Sequence, residues 1–225
     1  MSPRDRLIAA ELQASVGEGR IGRRILVLES TSSTNDFLLR MLTPERPEGF
    51  VVFAEHQTGG RGQRGNRWDS APHLGLWFSF LLRLNLPLTE SARLTEWTAK
   101  AIARTVARET GLEPRIKPPN DVYVGERKVS GVLVETTSAR GRITSAIVGV
   151  GVNVNQRLED FPMELRDRAG SLAMGASRPI DRSGFAIELL RELNRVFAAG
   201  AEAGMKSTDL PQRDFQSGRR SSRSC

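Results

Sequence analysis

The sequence predicts an α+β domain, a mixed central sheet flanked by helices. Two observations carry this. Apolar runs of strand length cluster between residues 24 and 154, and the hydrophobic period lengthens from two to about 3.6 residues over 89–111 and again over 183–199.

Arg24 to Glu29 reads as the first strand, and Ser32-Ser33-Thr34 offers N-cap oxygens to a helix carrying Phe37, Leu38 and Met41. Gly49 to Glu55 gives a second strand. The unbroken apolar segment Leu74 to Leu84 suits a strand buried on both faces. Leu94, Trp97, Ala101, Ile102 and Val106 then recur at helical spacing, with Arg93, Glu96, Lys100 and Arg104 off that face and Gly111 at the end. Arg115 to Lys117 and Val122 to Val124 flank a Pro-Pro-Asn-Asp corner. Gly125 to Arg127 is a hairpin turn returning through Val129 to Glu135, and Ile143 to Val154 is a further strand. A final helix over Ser183 to Ala199 puts Leu189, Leu190, Leu193, Val196 and Phe197 on one side. The expected divisions are an N-terminal arm at 1–23, one domain at 24–204 and a disordered basic tail at 205–225. The tail is rich in Ser, Arg and Gln, with Phe215 its only aromatic residue.

With 225 residues, 39% of them hydrophobic, the chain can bury one sizeable core. No apolar run approaches the roughly 20 residues of a membrane-crossing helix, and residues 1–5 begin no apolar leader, so a soluble cytoplasmic protein is expected. Cys225 is the only cysteine, and His56 and His73 stand far apart. That excludes a disulfide framework and a thiol nucleophile, and predicts no protein-held metal. The net charge of +7 permits polyphosphate, nucleic-acid or acidic-protein partners, but Lys206, Arg213, Arg219, Arg220 and Arg223 concentrate +3 of it in the tail. No dense basic stripe remains on the body.

Three segments could form one anion-handling site. The loop Gly59-Gly60-Arg61-Gly62-Gln63-Arg64-Gly65 presents unshielded backbone N–H groups and two guanidiniums, although a plain flexible loop reads the same way. Lys117-Pro118-Pro119-Asn120-Asp121 holds a lysine beside a stiffened backbone, or is merely a rigid turn with a solvated lysine. Gly149 to Asn155 (GVGVNVN) is an apolar strand broken by glycines, as where a ligand nears the backbone or where a bulge forms.

In order, Ser33-Thr34-Asn35, Glu55-His56-Gln57 with the glycine loop and Trp68, KPPNDVYVGERKVSGVLVE at 117–135, and GVGVNVN resemble the catalytic domain of the biotin protein ligases. The resemblance covers roughly residues 24–197. It implies a class II synthetase-like biotin/lipoate ligase fold with biotin and ATP as substrates and Mg²⁺ on the phosphates. It also implies a lysine of a biotin carboxyl carrier protein as acceptor. By position, the biotin contacts are Ser33, Thr34, Asn35, Gln57, Gly60, Arg61, Gly62, Gln63, Lys117, Gly131, Gly149 and Gly151. Those to ATP or the adenylate are Arg61, Gln63, Arg64, Trp68, Lys117, Asn120, Lys128 and Asn153, with Lys117 and Arg61 as the catalytic pair. Helix capping by Ser33 and Thr34 and core packing by Trp68 are the structural alternatives.

Two positions depart from the family pattern: Pro118 replaces a usual tryptophan, and Gln63 a frequent arginine, which implies weaker retention of the adenylate. The chain resembles the monofunctional type without an N-terminal DNA-binding domain, so DNA binding is not expected, and a homodimer stays open. The small SH3-like barrel that usually follows in relatives is expected to be absent. Lipoate or octanoate transfer, a truncated biotin-binding paralogue and a basic nucleic-acid binder are the competing readings.

Overall fold

The structure is a computed structural model that describes residues 6–43 and 47–202; the expected tail lies outside them. Among the described residues, seven strands form one mixed sheet. They are β1 (Arg24–Thr31), β2 (Phe50–Gln57), β3 (Gly75–Pro87), β4 (Pro114–Lys117), β5 (Asp121–Val124), β6 (Arg127–Ala139) and β7 (Arg142–Asn153), in spatial order β1-β2-β3-β7-β6-β5-β4. Only β1 and β2 run parallel, joined by the crossover helix α2 (Thr34–Arg40); the other pairs are antiparallel.

Side-chain alternation along β3 divides the molecule into two unequal halves. Leu76, Phe78, Phe80 and Leu82 enter the large core, while Leu81 on the opposite face joins a small cluster with Leu38, Phe50, Val52 and Ile147. The large core is closed by α1 (Ala9–Val16), α3 (Ala92–Thr110), the short α4 (Leu172–Ala176) and α5 (Arg182–Glu202). The apolar stripes predicted for α3 and α5 meet here. Phe197 stands edge-on to both Phe80 and Trp97, with centroid separations of 5.8 Å in each pair. Helix α3 ends as expected, at Gly111 with φ 73°, but starts at Ala92 because Leu88–Glu90 forms a separate tight turn.

The segment expected as an arm instead carries α1, and Leu7, Leu12, Val16 and Ile21 are buried in the main core. The sequence offers a short helical possibility around Leu7 to Leu12, and the helix forms a little later, over Ala9–Val16; eight residues are too few for a helical period to show that it packs into the core. A buried ion pair locks the segment down. Glu55 on β2 pairs with Arg182 at the start of α5, and its Oε1 accepts a hydrogen bond from the Leu7 amide at 2.9 Å. None of the described helices is long and apolar enough to cross a membrane.

Candidate active site

Among the described residues, α2, the loop after β2 and residues 161–169 lie over the face opposite the helical layer, and its floor is made by residues of alternating positions on β3, β7 and β6. One register row runs Trp77, Gly151, Gly131, Asp121, Lys117 across five strands, and the next pairs Ser79, Gly149 and Leu133. Partners in such a row share a face. The glycines are needed there: a Cβ at Gly149 would stand 2.2 Å from Oδ1 of Asn35, and one at Gly151 would stand 2.4 Å from the Trp68 indole. The ladder is regular at all three glycines, so close approach, not a bulge, explains them.

One end of this floor is polar and neutral. Ser33 caps α2 by accepting from the Asp36 amide at 3.4 Å, so its capping role is real, and its side chain also lines a hollow with Thr34, Asn35 and Gln57. Gln57 Oε1 accepts from the Thr34 amide at 2.8 Å and from its hydroxyl at 3.1 Å. Ser79 Oγ lies 2.7 Å from Thr34 Oγ1 and 2.5 Å from Asn35 Oδ1, joining the helix to the floor. Ser33, Thr34, Asn35 and Ser79 are all buried, so this set is held before any ligand arrives.

The other end is charged, with Arg61 set between two carboxylates. The glycine loop folds back on itself through Gly62 N–H to Asn66 O at 2.7 Å and Trp68 N–H to Gly60 O at 2.9 Å, so it is an ordered hairpin rather than a slack connection. Arg61 reaches from it to Asp36 at 2.6 Å and to Glu135 at 2.8 Å. Partial burial opposes the charge, but Glu135 and Asp36 outweigh it and hold the guanidinium above its ordinary value. Glu135, Asp36 and Ser79 were not among the expected site residues. Their partners lie far away in sequence, which leaves no spacing to read.

Two hollows adjoin. The smaller, about 40 Å³, is lined by Ser33, Thr34, Asn35, Gln57, Arg61, Gly62, Gln63, Trp68, Asn120, Lys128, Gly131, Gly149 and Gly151, among others. The larger, about 530 Å³, lies between Trp68, Asp69, Tyr123, Lys128 and Asn153 on one side and residues 161–169 on the other. Trp68 and Lys128 belong to both. The lysine sits 5.4 Å above the indole and pairs with Asp121 at 2.7 Å. Within the larger hollow, burial raises the Asp69 carboxyl above its usual range, with Glu164 adding and Arg67 and His56 opposing.

Four expected site residues fall outside the small hollow. Lys117 is exposed, 5.7 Å from the Tyr123 ring, and does not meet Arg61 in either hollow; β4 is the sheet edge, although the register keeps Lys117 on the site face. Gly60 is buried as packing, since a Cβ there would meet Trp68 O at 2.5 Å. Arg64 is exposed at the loop tip with φ 58°. Asn153 lines the larger hollow, but its amide already donates to Gly170 O at 2.9 Å and accepts from Gln156 at 3.3 Å. Among the described residues no three His, Cys, Asp or Glu side chains stand together as a metal cage.

A glycine-floored slot with a polar pole at one end, an arginine-bearing loop at the other and a second hollow beside it has the form of a small-molecule site on the open face of a mixed sheet. The chain belongs to the biotin/lipoate A/B protein ligase family, whose model matches residues 27–153. It is 35% identical over 179 residues to the bifunctional ligase/repressor BirA of Bacillus subtilis, covering 80% of this chain and 55% of that protein. To the biotin--[acetyl-CoA-carboxylase] ligase of Mycobacterium tuberculosis it is 32% identical over 203 residues, 86% of this chain and 73% of the relative. The Aquifex aeolicus biotin protein ligase in complex with biotin and ATP superposes with a TM-score of 0.67 at 31% identity, over 79% of this chain and 72% of that one. The chain thus spans about half the length of several curated relatives it matches.

Proposed function

We propose that this chain activates biotin with ATP to a biotinyl-adenylate and transfers the biotinyl group to a lysine of a biotin carboxyl carrier protein, using residues 24–204 as its catalytic domain. The observation that carries the reading is one slot whose ends differ in chemistry. Ser33, Thr34, Asn35 and Gln57 offer donors and acceptors together, as a urea requires, and Arg61 offers a guanidinium, as a carboxylate requires. Gly131, Gly149 and Gly151 keep side chains off the floor, so a fused ring can take the place that the Trp68 indole occupies over Gly131 and Gly151. The nucleotide takes the larger hollow against Trp68, Lys128 and Asn153; Gln63 and Asn120 approach it from the smaller hollow, and Arg64 swings in from the exposed loop tip.

A biotin carboxylate oxygen attacks the α-phosphorus of ATP; that P–O bond forms as the bond to the β-phosphate oxygen breaks, and pyrophosphate leaves with the electron pair. The acid is already ionised near neutral pH, so this step needs no general base. It needs cations, because two anions must approach. Arg61 meets the carboxylate, and Lys117 reaches the phosphate from the edge strand by extending along the face it already occupies. The carrier amine, having lost a proton, then attacks the acyl carbon and AMP departs. Mg²⁺ is a companion of the phosphates, and the cytoplasm, where ATP and the carrier meet, is the proposed location.

The test is exchange of labelled pyrophosphate into ATP. Exchange stimulated by biotin is expected. Stimulation by lipoate and not biotin overturns the acyl assignment, and biotin binding without exchange marks a protein that holds biotin without activating it.

A further inference from the structure

Glu135 touches both ends of the slot. It stands on β6, four residues beyond Gly131 on the same face, in register with Ile147 of β7. Its Oε2 accepts from Asn35 Nδ2 at 2.7 Å, while Asn35 Oδ1 accepts from Ser79 at 2.5 Å, so the amide has one orientation. The same carboxylate takes Arg61 NH2 at 2.8 and 3.0 Å, and Asp36 takes that nitrogen at 2.6 Å. Both protons of NH2 are thereby used. Nε and NH1 of Arg61 have no hydrogen-bond partner among the described residues, and Arg61 lines the small hollow. Besides the Arg61 bonds, Gln63 is the loop's side-chain tie to β6, at a long 3.4 Å to Val132 O.

We propose that Glu135 is a positioning residue: with Asp36 it clamps one nitrogen of Arg61 so that the opposite edge of the guanidinium faces an incoming carboxylate, and it sets the Asn35 amide at the other pole. This rests on the reading that the slot takes a carboxylate-bearing ligand. A strand gives the clamp more precision than the loop could supply alone. A neutral glutamine at 135 still accepts from Asn35 but no longer holds Arg61 by charge.

The experiment compares Glu135→Gln with the unaltered chain, measuring affinity for biotin and for its neutral alcohol, in which CH₂OH replaces the carboxylate, together with the thermal midpoint. Biotin should weaken about tenfold and the alcohol should not change, at an unchanged midpoint. Glu135→Asp, which keeps the charge with shorter reach, should fall between the two for biotin and leave the alcohol alone, and it serves if Glu135→Gln folds poorly. Equal weakening of both ligands means a structural role and overturns the proposal. So does biotin affinity that is unchanged or tighter, since Glu135 would then be idle or a competitor for Arg61. An unaltered chain that binds neither compound overturns the functional reading and this proposal with it, whereas the ligand ratio overturns only this one.

Discussion

A methyl group at position 149 would stand 2.2 Å from the Asn35 side chain, which is buried and held by Ser79 and Glu135. Gly149→Ala should therefore cost about 1–3 kcal/mol, the loss of one buried hydrogen bond, read as a lowered denaturation midpoint. An unchanged midpoint would mean that the polar pole is slack. Lys117→Ala makes the opposite prediction. Lys117 is exposed and, among the described residues, its ammonium stands 5.7 Å from the Tyr123 ring centroid, so stability should move by less than about 0.5 kcal/mol while adenylation is lost. Single-turnover rates within about threefold of the unaltered chain, roughly 0.7 kcal/mol, would show that the reaction does not use this charge. At this scale the sequence disclosed residues that sit in compact motifs, such as Arg61 and Asn120. Glu135 escaped because its partners Arg61 and Asn35 lie 74 and 100 positions away.

Strands and long helices were legible because burial imposes a period on them. Both α3 and α5 showed their stripes, whereas α1 with eight residues was legible only as a short helical possibility around Leu7 to Leu12 and α4 with five not at all. The ion pairs between these elements were not legible at all. Glu192 on α5 faces Arg104 and Arg108 of α3 and Arg195 of its own helix. Burial pushes its carboxyl upward, but hydrogen bonds and charge from Arg195, Arg104 and Arg108 prevail and hold it below its ordinary value of 4.5. A lowered folded-state value means that its contribution is complete above 4.5 and is lost as pH falls through the folded-state value. Glu192→Gln should accordingly flatten the acid limb of the stability curve, and an unaltered limb would remove the clasp from the account. The Glu55–Arg182 pair has no exposure on either side chain, so Glu55→Ala removes a buried carboxylate that faces Arg182 and accepts from the Leu7 amide, and should cost about 3–5 kcal/mol by denaturant melting.

Across the whole molecule, α1, α3, α4 and α5 cover one face of the sheet and α2 covers part of the other, where the two hollows share a wall. The smaller, at about 40 Å³, holds little more than water, because the Trp68 indole lies on Gly131 and Gly151. A fused ring can occupy that floor only when Trp68 leaves it, and its neighbouring space is the larger hollow, where it can meet the base of a nucleotide. Lys128 follows, being stacked on the indole. Filling one hollow should thus prepare the other. Linkage requires the effect to be reciprocal: biotin should tighten a non-hydrolysable ATP analogue by the same factor as the analogue tightens biotin, expected at about 5-fold or more. Trp68→Ala should abolish this coupling while leaving biotin affinity by itself equal or better, since the floor is then already clear. Titration calorimetry in both orders checks the prediction, and affinities independent of one another in the unaltered chain would leave Trp68 as a packing residue with no part in joining the two sites.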